Sequence, residues 1–222
     1  PDNAQAYAWK ACTLGQAMVR GYVDKPMQEI MPEFSNLMSS ALSIDPNDFE
    51  CHRLQCAVNT MMGDMKAALE HGKKAYDVNP NDPRILQQYG EVLLKTGKTE
   101  EGCDLTLLAL EYDPIAQGQT NSDKRKSDGV FGCVLDDRPD VGLDIASGMI
   151  DRSEKVLIYS AALAVASSGS LQNFSWLIED LKNADFAQIE EAIEEMGKFD
   201  VVVQSKLKEV FLDYILPLKE VA

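Results

Sequence analysis

The feature that most limits what this chain can fold into is a phrase repeated at a fixed interval. "ALSIDPND" begins at Ala41, "AYDVNPND" at Ala75 and "ALEYDP" at Ala109, two equal steps of 34 residues. Self-similarity at that period marks a helix-turn-helix unit that cannot bury its apolar face alone and so stacks on its neighbours. With Pro46, Pro80 and Pro114 set as position 32, Ala68 and Ala75 fall at positions 20 and 27 of one repeat, and Gly102 and Ala109 take the same places in the next. Position 8 is Cys56 and then Gly90, again small, as close helix crossings require. Position 15 is Gly63 and then Gly97, each predicted to end a first helix in left-handed backbone. Asp64 is placed to cap a second helix, while Asp45, Asn79 and Asp113 are placed to close the second helices before each proline.

These residues resemble the tetratricopeptide repeat. The match is fullest over 49–82 and 83–116, where "YGEVLLKTGKTEEG" carries Tyr89, Gly90 and Gly97 at family positions. The resemblance implies an all-α fold, a right-handed superhelical solenoid of helix-turn-helix repeats whose first helices line a concave groove. Positions 2, 5, 9, 12 and 13 of the family's first helix face that groove. They carry over to Glu50, Arg53, Ala57, Thr60 and Met61, then to Arg84, Gln87, Glu91, Leu94 and Lys95. The implied function is non-catalytic: a protein or peptide partner held along the groove, with Arg53, Arg84 and Lys95 as donors and Met61 and Leu94 as apolar contacts. Family members that bind chaperone tails grip a carboxylate with Lys and Asn; position 9 here is Ala57 and Glu91, so such a ligand is not expected.

Around the regular repeats the pattern loosens. Pro1 lies 45 residues before Pro46, so the first repeat (1–48) carries about 11 extra residues, placed in "GYVDKPMQEIMPEF" between helices over about 4–20 and 27–43. A long first repeat opening with the pair Ala8 and Trp9 is similar, more narrowly, to the repeat tails of bacterial adenylate cyclases and winged-helix transcription regulators. That points to the regulatory or scaffolding part of a signalling or transcription protein, and a start at Pro1 without Met fits a fragment. The organisation expected is regular repeats over 1–116 and degenerate helical pairs with capping helices over 117–222. The fourth pair spans about 119–135 and 139–150, with Gly142 and Gly148 as its small residues. A fifth follows in "SEKVLIYSAALAVASSG" and "LQNFSWLIEDLKN". Two amphipathic helices remain, one with Phe186, Ile189 and Ile193, the last with Val203, Leu207, Val210, Phe211 and Tyr214. The last reads as a cap; the alternative is a homodimer through these irregular C-terminal helices.

Charge and composition exclude several other functions. Twenty-one basic against 36 acidic residues give a net charge of −15, which opposes binding to nucleic acid or an anionic membrane and favours a basic partner. No apolar run approaches the roughly 20 residues of a membrane span. Five cysteines without paired spacing fit free thiols and a cytoplasmic setting. "CHRLQC" is no metal site, because Cys51 and Cys56 lie about 140° apart on a helix. With two histidines, no phosphate-binding glycine loop and no nucleophile motif, neither a cofactor nor an enzyme is expected. "KRK" at 124–126 reads as a solvated turn.

Overall fold

A computed structural model describes residues 3–19, 21–114 and 123–220, and those residues form helices and turns with no strand among them. In chain order the helices are α1 (Ala4–Val19), α2 (Met27–Ile44), α3 (Phe49–Met62), α4 (Met65–Val78), α5 (Pro83–Lys95), α6 (Thr99–Tyr112), α7 (Lys124–Leu135), α8 (Pro139–Ser147), α9 (Glu154–Ser168), α10 (Ser175–Asn183), α11 (Phe186–Met196) and α12 (Val201–Val210). A π-helical turn, Phe211–Ile215, then leads into α13 (Leu216–Glu220). The expected start of the fourth pair at 119 lies outside the described residues, as does Pro1.

The repeated phrase is a helix ending. The backbone N–H of Asp45, Asn79 and Asp113 donates to the carbonyl of Ala41, Ala75 and Ala109, at 2.9, 3.0 and 3.1 Å. Those three alanines, with Cys56 and Ala68, are fully buried, and Gly90 and Gly102 are buried as well. First helices end by a different device. Gly63 (φ 80°) and Gly97 (φ 83°) are left-handed, and the next N–H reaches back five residues: Asp64 to Asn59 and Lys98 to Leu93, both at 2.9 Å. Gly21 ends α1 in the same way, with Tyr22 donating to Ala17. In the fourth pair, where the sequence pattern fades, α7 keeps this geometry without glycine. Asp137 takes φ 53° and Arg138 donates to Cys133 at 2.9 Å. Asp48 and Asp64 cap α3 and α4 through their carboxylates.

Three expectations need correction. The extra residues of the first repeat are not one insertion, because α1 has 16 and α2 has 18 residues against 14 each in α3 and α4, and the connection from Val19 to Met27 takes up the rest. Gly142 is a true close approach, where a Cβ would stand 2.5 Å from Leu163 and 2.8 Å from Cys133, but Gly148 is exposed at the end of α8, and the buried small residue there is Ala146. "KRK" is not a solvated turn either. Arg125 is 2% exposed, with Nη2 3.0 Å from Asp113 and Nη1 donating to the Ala109 carbonyl, so it clasps the end of α6. Lys126 donates to the Gly148 carbonyl at 2.8 Å, and Asp123 accepts from the N–H groups of Ile150 and Asp151.

The chain divides into two compact units, Pro1–Val92 and Leu93–Ala222. Among the described residues, the first buries small apolar clusters and, on α5, Ile85, Leu86 and Tyr89. Ala8, Ala11, Phe34, Met38, Ala41 and Leu54 join α1, α2 and α3, and Cys56, Ala68 and Val92 join α3, α4 and α5. The second has one continuous core built around α9, whose residues Val156–Ala161 are all buried and which packs on α7, α8, α10, α11 and α12. An apolar helix with no polar face belongs in such a centre. Val203, Leu207, Val210, Phe211 and Ile215 turn into the same core, so the last helices close it as a cap.

Candidate partner-binding face

Within the first unit, the first helices of three successive pairs bring a small set of charged and aromatic side chains together. Glu50 on α3 is 2% exposed and lies between two guanidiniums, Arg53 at 2.5 Å and Arg84 of α5 at 3.4 Å. Arg84 also grips Asp82, from the turn before α5, with Nη2 at 2.6 Å and Nε at 3.1 Å. Its guanidinium carbon stands 5.6 Å from the ring centroid of Trp9 on α1, and Arg53 reaches the Cys12 sulfur at 3.8 Å. Two cations and two anions balance. Burial is the largest influence on Arg53 and works against its charge, but the bond to Glu50, the Glu50 charge and Cys12 together hold the guanidinium above its ordinary value. Asp82, half-buried, is likewise pushed up by burial and pulled further down by Arg84, ending below the usual carboxylate range.

The network therefore presents a stiff surface rather than loose charge. Arg84 and Trp9 form its outward part: the Arg84 side chain is 35% exposed and Trp9 is 49% exposed. A cation resting on an indole face gains about 0.5–1 kcal/mol at such a site, and the Asp82 carboxylate bonded to its Nε and Nη2 fixes the guanidinium plane.

The residues expected to line the groove divide by exposure. Met61 is exposed, while Ala57, Thr60, Arg84 and Glu91 are half-exposed; the Thr60 hydroxyl donates to the Cys56 carbonyl. Glu50 and Gln87 are buried, and Arg53 is nearly so, serving to orient Arg84 rather than to meet a partner. Leu94 is 2% exposed inside the second unit's core and offers no apolar surface. Lys95, also in the second unit, has its ammonium 5.4 Å from the Phe199 ring centroid. Trp9 was legible only as half of the Ala-Trp pair. An indole on the outward side of a predicted first helix was the signal that could have placed it in the site.

His52 is turned away from the cysteines. Its Nε2 lies 3.0 Å from the Pro46 carbonyl and its Nδ1 2.9 Å from Nδ1 of His71 on α4. A carbonyl only accepts, so His52 carries its proton on Nε2, and in the neutral pair His71 donates from Nδ1. No group of three or more His, Cys, Asp or Glu side chains able to hold a metal occurs among the described residues, and the five cysteines are free thiols.

No protein-family profile matches the chain, and no curated protein matches it. Among solved structures it is similar to PilF of Pseudomonas aeruginosa, a tetratricopeptide-repeat protein, with a TM-score of 0.57 and 14% identity over 93% of this chain and 96% of that one. At that identity the likeness is one of fold, and with the caps and close-contact residues described above it gives the chain an all-α helical repeat architecture of tetratricopeptide type.

Proposed function

We propose that the chain is a non-catalytic module that holds a protein partner, as a peptide segment or a helix, on the face built by α1, α3 and α5 of the first unit. Trp9 carries the reading: a half-exposed indole with Arg84 laid over it, and Arg84 held in turn by Glu50 and Asp82. Tryptophan and arginine dominate binding energy at protein interfaces, and rigid anchors lose little entropy on binding. The exposed Met61 adds an adaptable apolar contact. The long first repeat with its Ala8–Trp9 opening supports placing the module in a bacterial signalling or transcription protein as its regulatory or scaffolding part. Partner capture by the wild-type chain, compared with Trp9→Ala and Arg84→Ala, tests this. Specific partners should be lost from both variants while their circular dichroism stays helical; equal capture by all three chains would defeat the reading.

Self-association is the second reading, and one observation favours it. The last helices bury one side in the core yet leave Val201, Val202, Leu212 and Leu216 exposed. Sedimentation at rising concentration, with Leu212→Glu beside the wild type, decides it: a wild-type monomer throughout removes the dimer.

A further inference from the structure

We infer a second binding site, for a basic side chain and arginine foremost, in a cleft of the second unit between α8 and the start of α10. The cleft has a volume of about 290 Å³ and is lined by Asp140, Leu143, Asp144, Ser147, Phe174 and Trp176. Asp140, Asp144 and Ser147 recur at four- and three-residue spacing, so they form one ridge along α8. Phe174 and Trp176 supply aromatic walls, and Leu143, 6% exposed, is the buried member of the lining.

Two members of the lining, Asp140 and Trp176, are held in place before any ligand arrives. The Asp140 carboxylate accepts from the Ser167 hydroxyl of α9 at 2.8 Å. Trp176 lies under Arg152, whose guanidinium carbon is 4.7 Å from the ring centroid. That guanidinium is itself held by Asp180 at 2.6 Å and by the carbonyls of Ala146 and Met149, so its charge is already balanced. Neither Asp140 nor Asp144 is paired with a basic side chain among the described residues. Two like charges one turn apart on a helix repel, and no basic side chain among the described residues is paired with them.

The chemistry selects the ligand. A calcium ion wants six to eight oxygen donors, and magnesium a near-ideal octahedron; two carboxylates, a hydroxyl and two aromatic rings supply neither. The same set suits an organic cation, which can bond a carboxylate while its flat face rests on a ring. A net charge of −15 raises the local concentration of such cations and repels acidic competitors. The site does not depend on the Trp9 and Arg84 reading, and either can fail without the other.

Trp176 is the reporter for the test. In a Trp9→Phe background it is the only tryptophan of the two in the chain, and its fluorescence is followed at low ionic strength on adding acetyl-Gly-Arg-Gly-amide, its lysine counterpart or its citrulline counterpart. The expected result is a saturable change with the arginine peptide at millimolar concentration, a weaker one with lysine and none with citrulline. Asp140→Asn with Asp144→Asn, both at exposed positions, should weaken the arginine response at least tenfold with the helical circular dichroism unchanged. An equal response to citrulline, an equal response in the double variant, or no saturation with either basic peptide would overturn the proposal.

Discussion

At the scale of single residues, the fold rests on a few positions where size or backbone handedness leaves no choice. Gly72 on α4 is one, since a Cβ there would stand 2.6 Å from the Tyr89 ring and 3.1 Å from the Cys56 sulfur. An aromatic ring cannot bend aside, so Gly72→Ala should lower stability by about 1–3 kcal/mol, read from urea denaturation. Asp137 is the converse case: it holds a left-handed conformation that glycine holds at the ends of α1, α3, α5 and α9. Asp137→Gly should therefore leave stability unchanged or raise it, despite the extra freedom glycine gives the unfolded chain, whereas Gly97→Ala should cost about 1 kcal/mol. Ser160, fully buried in α9, has a hydroxyl with no hydrogen-bond partner among the described residues. Removing an unsatisfied buried hydroxyl relieves its desolvation cost, so Ser160→Ala should stabilise the chain by about 1 kcal/mol in the same assay.

Between elements, the link with a measurable signature is the histidine pair joining α3 to α4. Burial is the main cause lowering the pKa of both His52 and His71; Lys74 lowers both further, and His52 lowers His71. The Pro46 carbonyl, Asp48 and Asp45 act the other way on His52, and Glu70 does so on His71. The folded pair is thus neutral where the unfolded chain takes up protons. Its contribution is complete above the unfolded value of 6.5 and is lost as the pH falls from there toward the lowered folded values. The melting temperature of the wild type should fall as the pH drops from 7 to 5, and that of His71→Gln should fall less. Carboxylates such as Asp82 and Asp123, whose values are lowered, add their loss only at more acid pH. This pair was hidden in the sequence because its members lie 19 residues apart on two helices and carry no motif. The helices themselves were legible wherever an end had a chemical marker: Gly63, Gly97 and Gly169 at left-handed turns, Asp64 at a cap, and Ala75 with Asn79 at a close. Legibility failed where tertiary contacts replaced those markers. Arg125 looked like surface because its partners, Asp113 and the Ala109 carbonyl, sit across a helix-to-helix connection, and Leu94 looked like groove because a family register cannot report what packs over it.

For the whole molecule, the regularity of the repeat and the extent of the core run in opposite directions. The regular, readily aligned copies fall mostly in Pro1–Val92, whose described clusters are small and rich in alanine and cysteine, with Ile85, Leu86 and Tyr89 buried besides. The degenerate half encloses a single larger core, with Leu157, Ile158, Leu177, Leu181, Ile189, Met196, Leu207 and Ile215 packed around or against α9. A repeat can be regular without being strongly buried, because its sequence signal comes from turn chemistry and small residues, whereas burial free energy follows apolar area at about 25 cal/mol per Å². Local opening should follow burial rather than regularity. In native-state hydrogen exchange the amides of α9 should be the last to exchange, at free energies near that of global unfolding, while those of α1 and α2 should exchange through smaller openings. Leu177→Ala, which empties a fully buried site in the larger core, should lower the protection of α9 by about 2–5 kcal/mol. If that change lowered protection in α1 and α2 by the same amount while sparing α9, the core around α9 would not be what holds the second unit together.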